Sequence, residues 1–153
     1  MINFSIKYFY VYLTLMFVGF TCCPPYYPVS VKITNVSAWL NLMPGSEPKF
    51  YLNGNAAYIG MLSFDEVTSM IEYVAVLQNE KIIDRFKPAI IIISKDLKGN
   101  DVYVCNFEFT TGDGLKINSK LYTDDSIDVA IQFRDDTELP DVIERGIKVE
   151  KAY

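Results

Sequence analysis

The sequence contains no histidine, and this absence removes the commonest general base and the commonest metal ligand of proteins. Nucleophilic schemes that pair histidine with serine or cysteine are excluded, as are histidine-ligated zinc and copper sites. Chemistry by paired carboxylates, by lysine or by tyrosine stays open. From the absence of histidine we predict no cofactor and no metal site. We also expect that the protein is not an enzyme.

Basic residues are also scarce, since 14 lysines and arginines stand against 19 aspartates and glutamates for a net charge of −5. No basic run occurs, so binding to nucleic acid is disfavoured, and so is electrostatic docking on anionic lipid. The sequence also lacks a glycine-rich phosphate loop, because Thr111-Gly112-Asp113-Gly114 has the composition of a hairpin turn.

Only three cysteines are present, two of them adjacent near the N-terminus as Cys22 and Cys23. The third, Cys105, lies on the same face of a predicted strand as several aromatic residues. A free cysteine at such a position behaves as a small apolar core residue, and we expect a buried thiol. The alternative is a disulfide from Cys105 to Cys22 or Cys23 in an oxidising compartment.

Residues 1–23 have the three-part pattern of an export signal. Lys7 is the only charge, and an apolar run follows over residues 8–20, broken only by Thr14. Such a run matches the hydrophobic region of a signal peptide and is shorter than the ~20 residues that a spanning helix needs. An uncleaved anchor or a buried strand is the alternative.

The end of this run, Gly19-Phe20-Thr21-Cys22, resembles a bacterial lipoprotein signal, in which the cysteine after the apolar run is lipidated. It departs from that pattern by a bulky Phe20 and by the missing leucine three residues before the cysteine. The resemblance implies Cys22 or Cys23 as a lipidation site and attachment to a membrane through lipid. Plain cleavage and a structural cysteine remain the alternatives.

Residues 24–28 hold three prolines and two tyrosines, and proline stiffens such a segment into an extended spacer. The segment would act as a stiff connection between an anchor and a domain, or as an ordered arm lying on a sheet. A single folded domain is then expected over residues 29–153.

The pattern of residues 101–134 consists of three alternating runs joined by two polar turns, which predicts an antiparallel meander. Each run places one set of side chains on a core face. The first set is Tyr103, Cys105, Phe107 and Phe109; the second is Leu115, Ile117 and Leu121; the third is Ile127, Val129, Ile131 and Phe133.

Further strands are predicted on both sides of this meander. Residues 29–42 change phase near Asn35, which indicates a bulge or a switch between sheets. Residues 50–61 form one strand or a hairpin around Asn53-Gly54. A capping box at 63–66 would begin a helical turn before a hairpin over residues 70–86.

The isoleucine-rich run at residues 89–93 predicts either a fully buried strand or an edge strand protected by its flanks. Lys87, Pro88, Lys95 and Asp96 are those flanks. A last strand is expected over residues 142–153, with Ile147 and Val149 facing the core.

These elements predict an all-β protein, an antiparallel β-sandwich of immunoglobulin-like type with about seven to nine strands. A small up-and-down β-barrel of lipocalin type is the alternative. The pattern is similar to that of many exported bacterial sandwich proteins, which implies a place in the cell envelope, the periplasm or the secreted fraction.

Two groups of side chains are candidates for a site. The acidic stretch 124–144 could supply calcium ligands or a carboxylate pair, although no EF-hand spacing occurs, and solvated turns are the simpler interpretation. Aromatic side chains could form a face that binds protein or sugar, and packing at strand ends is the simpler interpretation. These aromatic candidates are Tyr26, Tyr27, Trp39, Tyr51, Tyr58 and Tyr122.

The sequence leaves three functional hypotheses. The first is an exported, non-catalytic binding or structural module of the cell envelope with a protein or glycan partner. A flat aromatic surface or an exposed edge strand would favour this hypothesis. The second is a small exported peptidase inhibitor that acts through the loop at residues 43–48. Rigidity and protrusion of this loop would favour this hypothesis. The third is a carboxylate-based hydrolase, which needs two close carboxylates in a cleft.

Overall fold

The computed structural model describes residues 29–99, 101–117, 126–137 and 139–153. Nine strands and one helix, α1 (Phe64–Met70), lie in this part of the chain. The strands are β1 (Ser30–Asn41), β2 (Lys49–Gly60), β3 (Ile71–Gln78), β4 (Lys81–Phe86), β5 (Ala89–Lys98), β6 (Val102–Thr110), β7 (Leu115–Lys116), β8 (Ser126–Phe133) and β9 (Val142–Ala152).

The strands pair in the order β4-β3-β8-β9-β1-β2-β6-β5, and the short β7 pairs with β2. All of these pairings are antiparallel except that of β1 with β9, which is parallel over Ala38–Asn41 of β1. The order divides into two four-stranded layers, β1-β2-β6-β5 and β9-β8-β3-β4. Such a division, with the first and last strands meeting, is the arrangement of immunoglobulin-like sandwiches.

The hydrophobic core lies between these layers and draws on both of them. Leu40, Phe107 and Phe109 from the first layer, and Val74 and Ile131 from the second, have no accessible surface. The prediction of an all-β sandwich is therefore confirmed. The barrel alternative is wrong for the described residues, since β4 and β5 end the strand order without pairing to each other.

Strand β1 contains the predicted change of phase. Its pairing with β2 shifts register between Ile33 and Asn35, and the buried positions change from Ile33 before the shift to Ala38 and Leu40 after it. An extra residue in one strand moves the following side chains to the opposite parity. The strand thereby keeps an apolar face on the core on both sides of the bulge.

The predicted meander over residues 101–134 is wrong as a set of paired neighbours. Strand β6 pairs with β2 and β5, β7 pairs with β2, and β8 pairs with β3 and β9 in the other layer. The alternation nevertheless identifies the correct faces, because Cys105, Phe107, Phe109 and the apolar residues of β8 are buried. Residues 118–125, which include Leu121 and Tyr122, lie outside the described part.

Residues 49–60 form one continuous strand, so the hairpin around Asn53-Gly54 does not occur. Gly54 lies opposite Val36 on one side and Phe109 on the other. A Cβ at this position would overlap the Phe109 ring. Glycine is therefore needed here for close packing of a neighbouring side chain rather than for a turn.

The hairpin predicted over residues 70–86 is confirmed as β3 and β4, with Asn79 and Glu80 both at positive φ in the turn. The helical turn before it is α1, whose N-cap is Ser63. The helix ends at Met70, and the chain continues directly as β3.

The predictions for residues 1–28 lie outside the described residues. They comprise the signal over 1–23, lipidation of Cys22 or Cys23, and the spacer over 24–28. In the part of the chain that the structure describes, no helix is long and apolar enough to cross a bilayer.

Candidate functional site

Strand β5 lies at one end of the strand order and pairs with β6 alone among the described residues. The backbone N–H and C=O groups on its other side therefore have no strand partner within the described ranges. We call this unpaired side of Ala89–Lys98, together with the side chains of the strand, the β5 edge. A row of unpaired backbone groups of this kind is a template for pairing with another chain.

The β5 edge carries aliphatic side chains that are largely in contact with solvent. The exposed fractions are 51% for Ile91, 45% for Ile92, 56% for Ile93 and 61% for Leu97. Only Ile90 of the isoleucine run packs partly against the core. Of the two interpretations of this run, the edge strand is confirmed and the fully buried strand is wrong.

A bulge in β5 accounts for the exposure of Ile93. The register with β6 shifts between Ile92 and Ser94, so Ile93 is the extra residue. Ile92 lies opposite the buried Phe107 and shares its side of the sheet, yet it is 45% exposed on the last strand of the order.

Basic residues outnumber acidic residues in the segment that contains the aliphatic run. Residues 81–98, which comprise β4, a two-residue connection and β5, carry a net charge of +3 in a chain whose total is −5. The basic residues are Lys81, Arg85, Lys87, Lys95 and Lys98, and the acidic residues are Asp84 and Asp96. Lysine and proline at an edge oppose its pairing with a second copy of itself.

A shallow cavity of about 350 Å³ lies where β5 begins. It is lined by α1 and by the connection between β4 and β5, and it contains Asp65, Thr68, Lys87 and Ile90. The hydroxyl of Thr68 already donates to the carbonyl oxygen of Phe64, at 3.1 Å. The cavity thus adds polar groups to the N-terminal end of the β5 edge.

The three described aromatic candidates, Trp39, Tyr51 and Tyr58, do not form one exposed face. Trp39 and Tyr51 stack with ring centroids 5.4 Å apart and planes inclined by 10°. Tyr58 is fully buried, so its assignment to an exposed face is wrong. Tyr26, Tyr27 and Tyr122 lie outside the described residues.

The hydroxyl of Tyr58 accepts a hydrogen bond from the backbone N–H of Leu62 at 2.8 Å. Burial raises the pKa of this hydroxyl, and the Leu62 hydrogen bond opposes the rise. A Cβ at Gly60 would overlap the Tyr58 oxygen, so glycine there leaves room for the ring. Tyr58 therefore holds the chain at the end of β2 and belongs to the core.

Two described carboxylates of the acidic stretch, those of Asp128 and Asp141, accept hydrogen bonds from backbone N–H groups. Asp141 accepts from the Phe133 N–H at 3.2 Å and from the Gln132 side-chain amide at 2.9 Å. Asp128 accepts from the Gly146 N–H at 2.9 Å. Within the described ranges no three acidic or cysteine side chains are grouped to hold a metal ion. Asp124, Asp125 and Glu138 lie outside those ranges.

Cys105 is a free, buried thiol, as the pattern of β6 predicts. Burial raises its pKa, while the nearby Lys95 on β5 acts in the opposite direction. The thiol is thus held in its unreactive protonated form.

The loop at residues 43–48 is a compact turn between β1 and β2. Ser46 contacts the carbonyl oxygen of Met43 through its hydroxyl at 3.0 Å and through its N–H at 3.4 Å. The Met43 N–H donates to the side chain of Asn41 at 3.2 Å, and Gly45 has a φ of 87°. Met43 itself is exposed.

No family model matches the chain. No curated protein matches it either. The functional assignment of this chain therefore rests on its sequence and on the geometry of the described residues.

Proposed function

We propose that this protein is an exported, non-catalytic binding module of the cell envelope, and that it receives a protein partner along the β5 edge. The observation that carries the proposal is the run of exposed aliphatic side chains on a strand with one free side. Contiguous exposed apolar surface on a folded domain is typical of an interaction site. An extended peptide that adds to a free strand gains main-chain hydrogen bonds and pockets for alternate side chains.

Export and anchoring are part of the same proposal and rest on residues 1–28. The apolar run, the cysteine pair and the proline spacer together favour removal of a signal, with or without lipid on Cys22 or Cys23. Mass spectrometry of the mature N-terminus tests both points. A mature chain that still begins at Met1 would contradict export by cleavage.

The binding role is tested by selecting peptides from a random display library on the full-length protein. A counter-selection uses Ile92→Lys, which places a charge on the β5 edge at an exposed position. We expect peptides of alternating aliphatic pattern that bind the wild type and not the variant. A matched control is Ile143→Lys, since Ile143 is similarly exposed at 46% but lies on β9. Peptides that bind all three proteins equally would contradict the proposal.

A second candidate function is inhibition of a peptidase by the loop at residues 43–48. The observation that favours it is the set of hydrogen bonds among Asn41, Met43 and Ser46, which holds an exposed methionine in one geometry. Incubation with peptidases of several classes tests it, with Met43→Asp as the variant expected to lose inhibition. Equal activity of every peptidase with and without the protein would exclude this role.

A further inference from the structure

We propose that the partner of the β5 edge is an extended polypeptide segment with an aliphatic centre and acidic residues on either side of it, which adds to β5 as a further strand. This inference rests on the proposed binding role and names the chemistry of the partner. Its three supports are the free backbone of β5, the arrangement of its side chains, and the sign of the surrounding charge.

The backbone of β5 offers a long template with one bulge, at Ile93. The strand has ten residues, and it is paired with β6 from Ala89 to Lys98. A strand of this length extends about 33 Å, which is longer than the common strand of five or six residues. An added segment would find free N–H and C=O groups along this length and would hide them from water.

The side chains of β5 divide into an aliphatic centre and charged ends. Ile91, Ile92 and Ile93 form the exposed centre, with Lys87 before them and Lys95 and Lys98 after them. A segment lying along the strand would therefore place its own apolar residues against the isoleucines. Its acidic residues would then lie beside the lysines at both ends.

The charge of this region favours such a partner over a second copy of the same chain. Residues 81–98 have a net charge of +3, so two such regions brought together would repel, whereas an acidic segment would be attracted. The acidic groups nearest to the strand are Asp96 on β5 itself, Glu108 opposite Ile91 on β6, and Asp65 in the cavity beside Lys87. Asp101 follows the strand. The lysines stand before and after the isoleucines, whereas Glu108 lies at the level of the isoleucines, so basic side chains mark the two ends of the aliphatic centre.

The test measures binding of short labelled peptides to the full-length protein by fluorescence anisotropy. Three peptides share a centre of alternating valine and threonine: one carries two aspartates at each end, the second carries two lysines at each end, and the third has the aspartates and a proline in the centre. We expect the aspartate-flanked peptide to bind roughly tenfold more tightly than the lysine-flanked peptide at low salt. The difference should shrink as salt screens the charges.

Two variants separate the charge from the edge itself. The double variant Lys95→Glu, Lys98→Glu should lose or reverse the preference for aspartate. Ile92→Lys should weaken binding of the aspartate-flanked peptide strongly, and Ile143→Lys should leave it unchanged. The central proline should also abolish binding, because it removes a donor and cannot continue a ladder.

Several results would overturn the inference. Equal binding of aspartate- and lysine-flanked peptides, both lost in Ile92→Lys, would leave the binding role intact and refute the acidic partner. Binding that survives Ile92→Lys would refute the β5 edge as the site and the proposed role with it. A dimer seen by sedimentation and lost in Ile92→Lys would show a second copy as the occupant. Failure of all three peptides to bind, or stronger attachment to vesicles of anionic lipid, would equally refute the acidic segment.

Discussion

Gly54 lies in the middle of β2, where the partner strand β6 places Phe109 across from it. The ring of Phe109 fills the space that a side chain at position 54 would need, and it is itself fully buried. The Asn53-Gly54 pair is typical of a hairpin turn, so the local sequence is compatible with either a turn or a strand. The long-range contact with Phe109 favours a continuous strand over a turn. The residues next to Gly54 in the sequence do not reveal this contact.

We expect Gly54→Ala to destabilise the fold by about 1–3 kcal/mol, because the packed Phe109 ring cannot move without strain. Denaturant unfolding followed by circular dichroism measures this change. Gly99→Ala is the matched control, since a Cβ at Gly99 meets no atom within 4 Å, and it should be close to neutral. The double variant Gly54→Ala, Phe109→Leu should lose less free energy of unfolding than the sum of the losses in the two single variants. Strictly additive losses would contradict a direct contact between the two residues.

Cys105 should react with a maleimide only after unfolding, because it is 1% exposed and burial raises its pKa. Peptide mapping by mass spectrometry separates its label from labels on Cys22 and Cys23. The native protein should show no label at Cys105 over a time in which the denatured protein is labelled fully. Rapid labelling of the native state would show that the thiol is accessible.

Among the elements, α1 shows what local sequence can specify. Its capping box is present in the structure: the Glu66 carboxylate accepts from the Ser63 N–H at 2.8 Å and from the Ser63 hydroxyl at 2.6 Å. All the groups involved lie within four residues, so the motif predicts the start of the helix. Its end at Met70 is not predictable in this way, because β3 continues into a ladder with β8 that lies far along the chain.

The hydrogen bonds from Ser63 lower the pKa of the exposed Glu66 carboxyl below its ordinary value of 4.5. A carboxyl with a lowered pKa in the folded state stabilises the fold above pH 4.5, and this contribution is lost as pH falls through the folded pKa. We expect Glu66→Gln to be less stable than the wild type at pH 7, with the difference closing below pH 4.5. Unfolding curves across this range measure it.

Ser63→Ala provides the matched variant for this prediction. Removing the hydroxyl should return the pKa of Glu66 toward 4.5 in an NMR titration, and it should cost about 1 kcal/mol through the lost N-cap. A wild-type Glu66 that titrates at 4.5, or a titration unchanged in Ser63→Ala, would contradict the capping interaction as the cause.

Strands are more predictable than their pairing. Alternation identifies the buried face of β6 and β8 because the period of two is a local property of each strand. It cannot tell that the chain crosses from one layer to the other between β6 and β8, since both a meander and a crossing bury the same side chains. The exposure of β5 likewise cannot be predicted from local sequence. An isoleucine run is compatible with a buried strand or an edge strand until its neighbouring strands are known.

At the scale of the whole molecule, the described core begins with β1, and its first buried residue is Ile33. A chain that starts at Val29 should therefore be soluble and should show the β-type circular dichroism and the cooperative unfolding of the full-length protein. Aggregation of the shortened chain, with normal folding of the full chain, would show that residues 1–28 are part of the fold.

The sandwich has two different lateral sides. On one side β1 and β9 pair and join the layers, whereas on the other β4 and β5 end the strand order. The edge at β5 combines a free backbone, exposed aliphatic residues and a charge opposite to that of the chain. We therefore place the binding role there rather than at the Trp39–Tyr51 stack, the 43–48 loop or the acidic turns.

The most direct test of this binding role is hydrogen–deuterium exchange of the full-length protein with and without a peptide chosen by the display selection. We predict that the peptide slows exchange in β5, over Ala89–Lys98, because the added strand engages amides that are otherwise free. Exchange in β9, over Val142–Ala152, should not change. Protection of the 43–48 loop or of another strand, with β5 exchanging as before, would contradict the assignment of the β5 edge as the binding site.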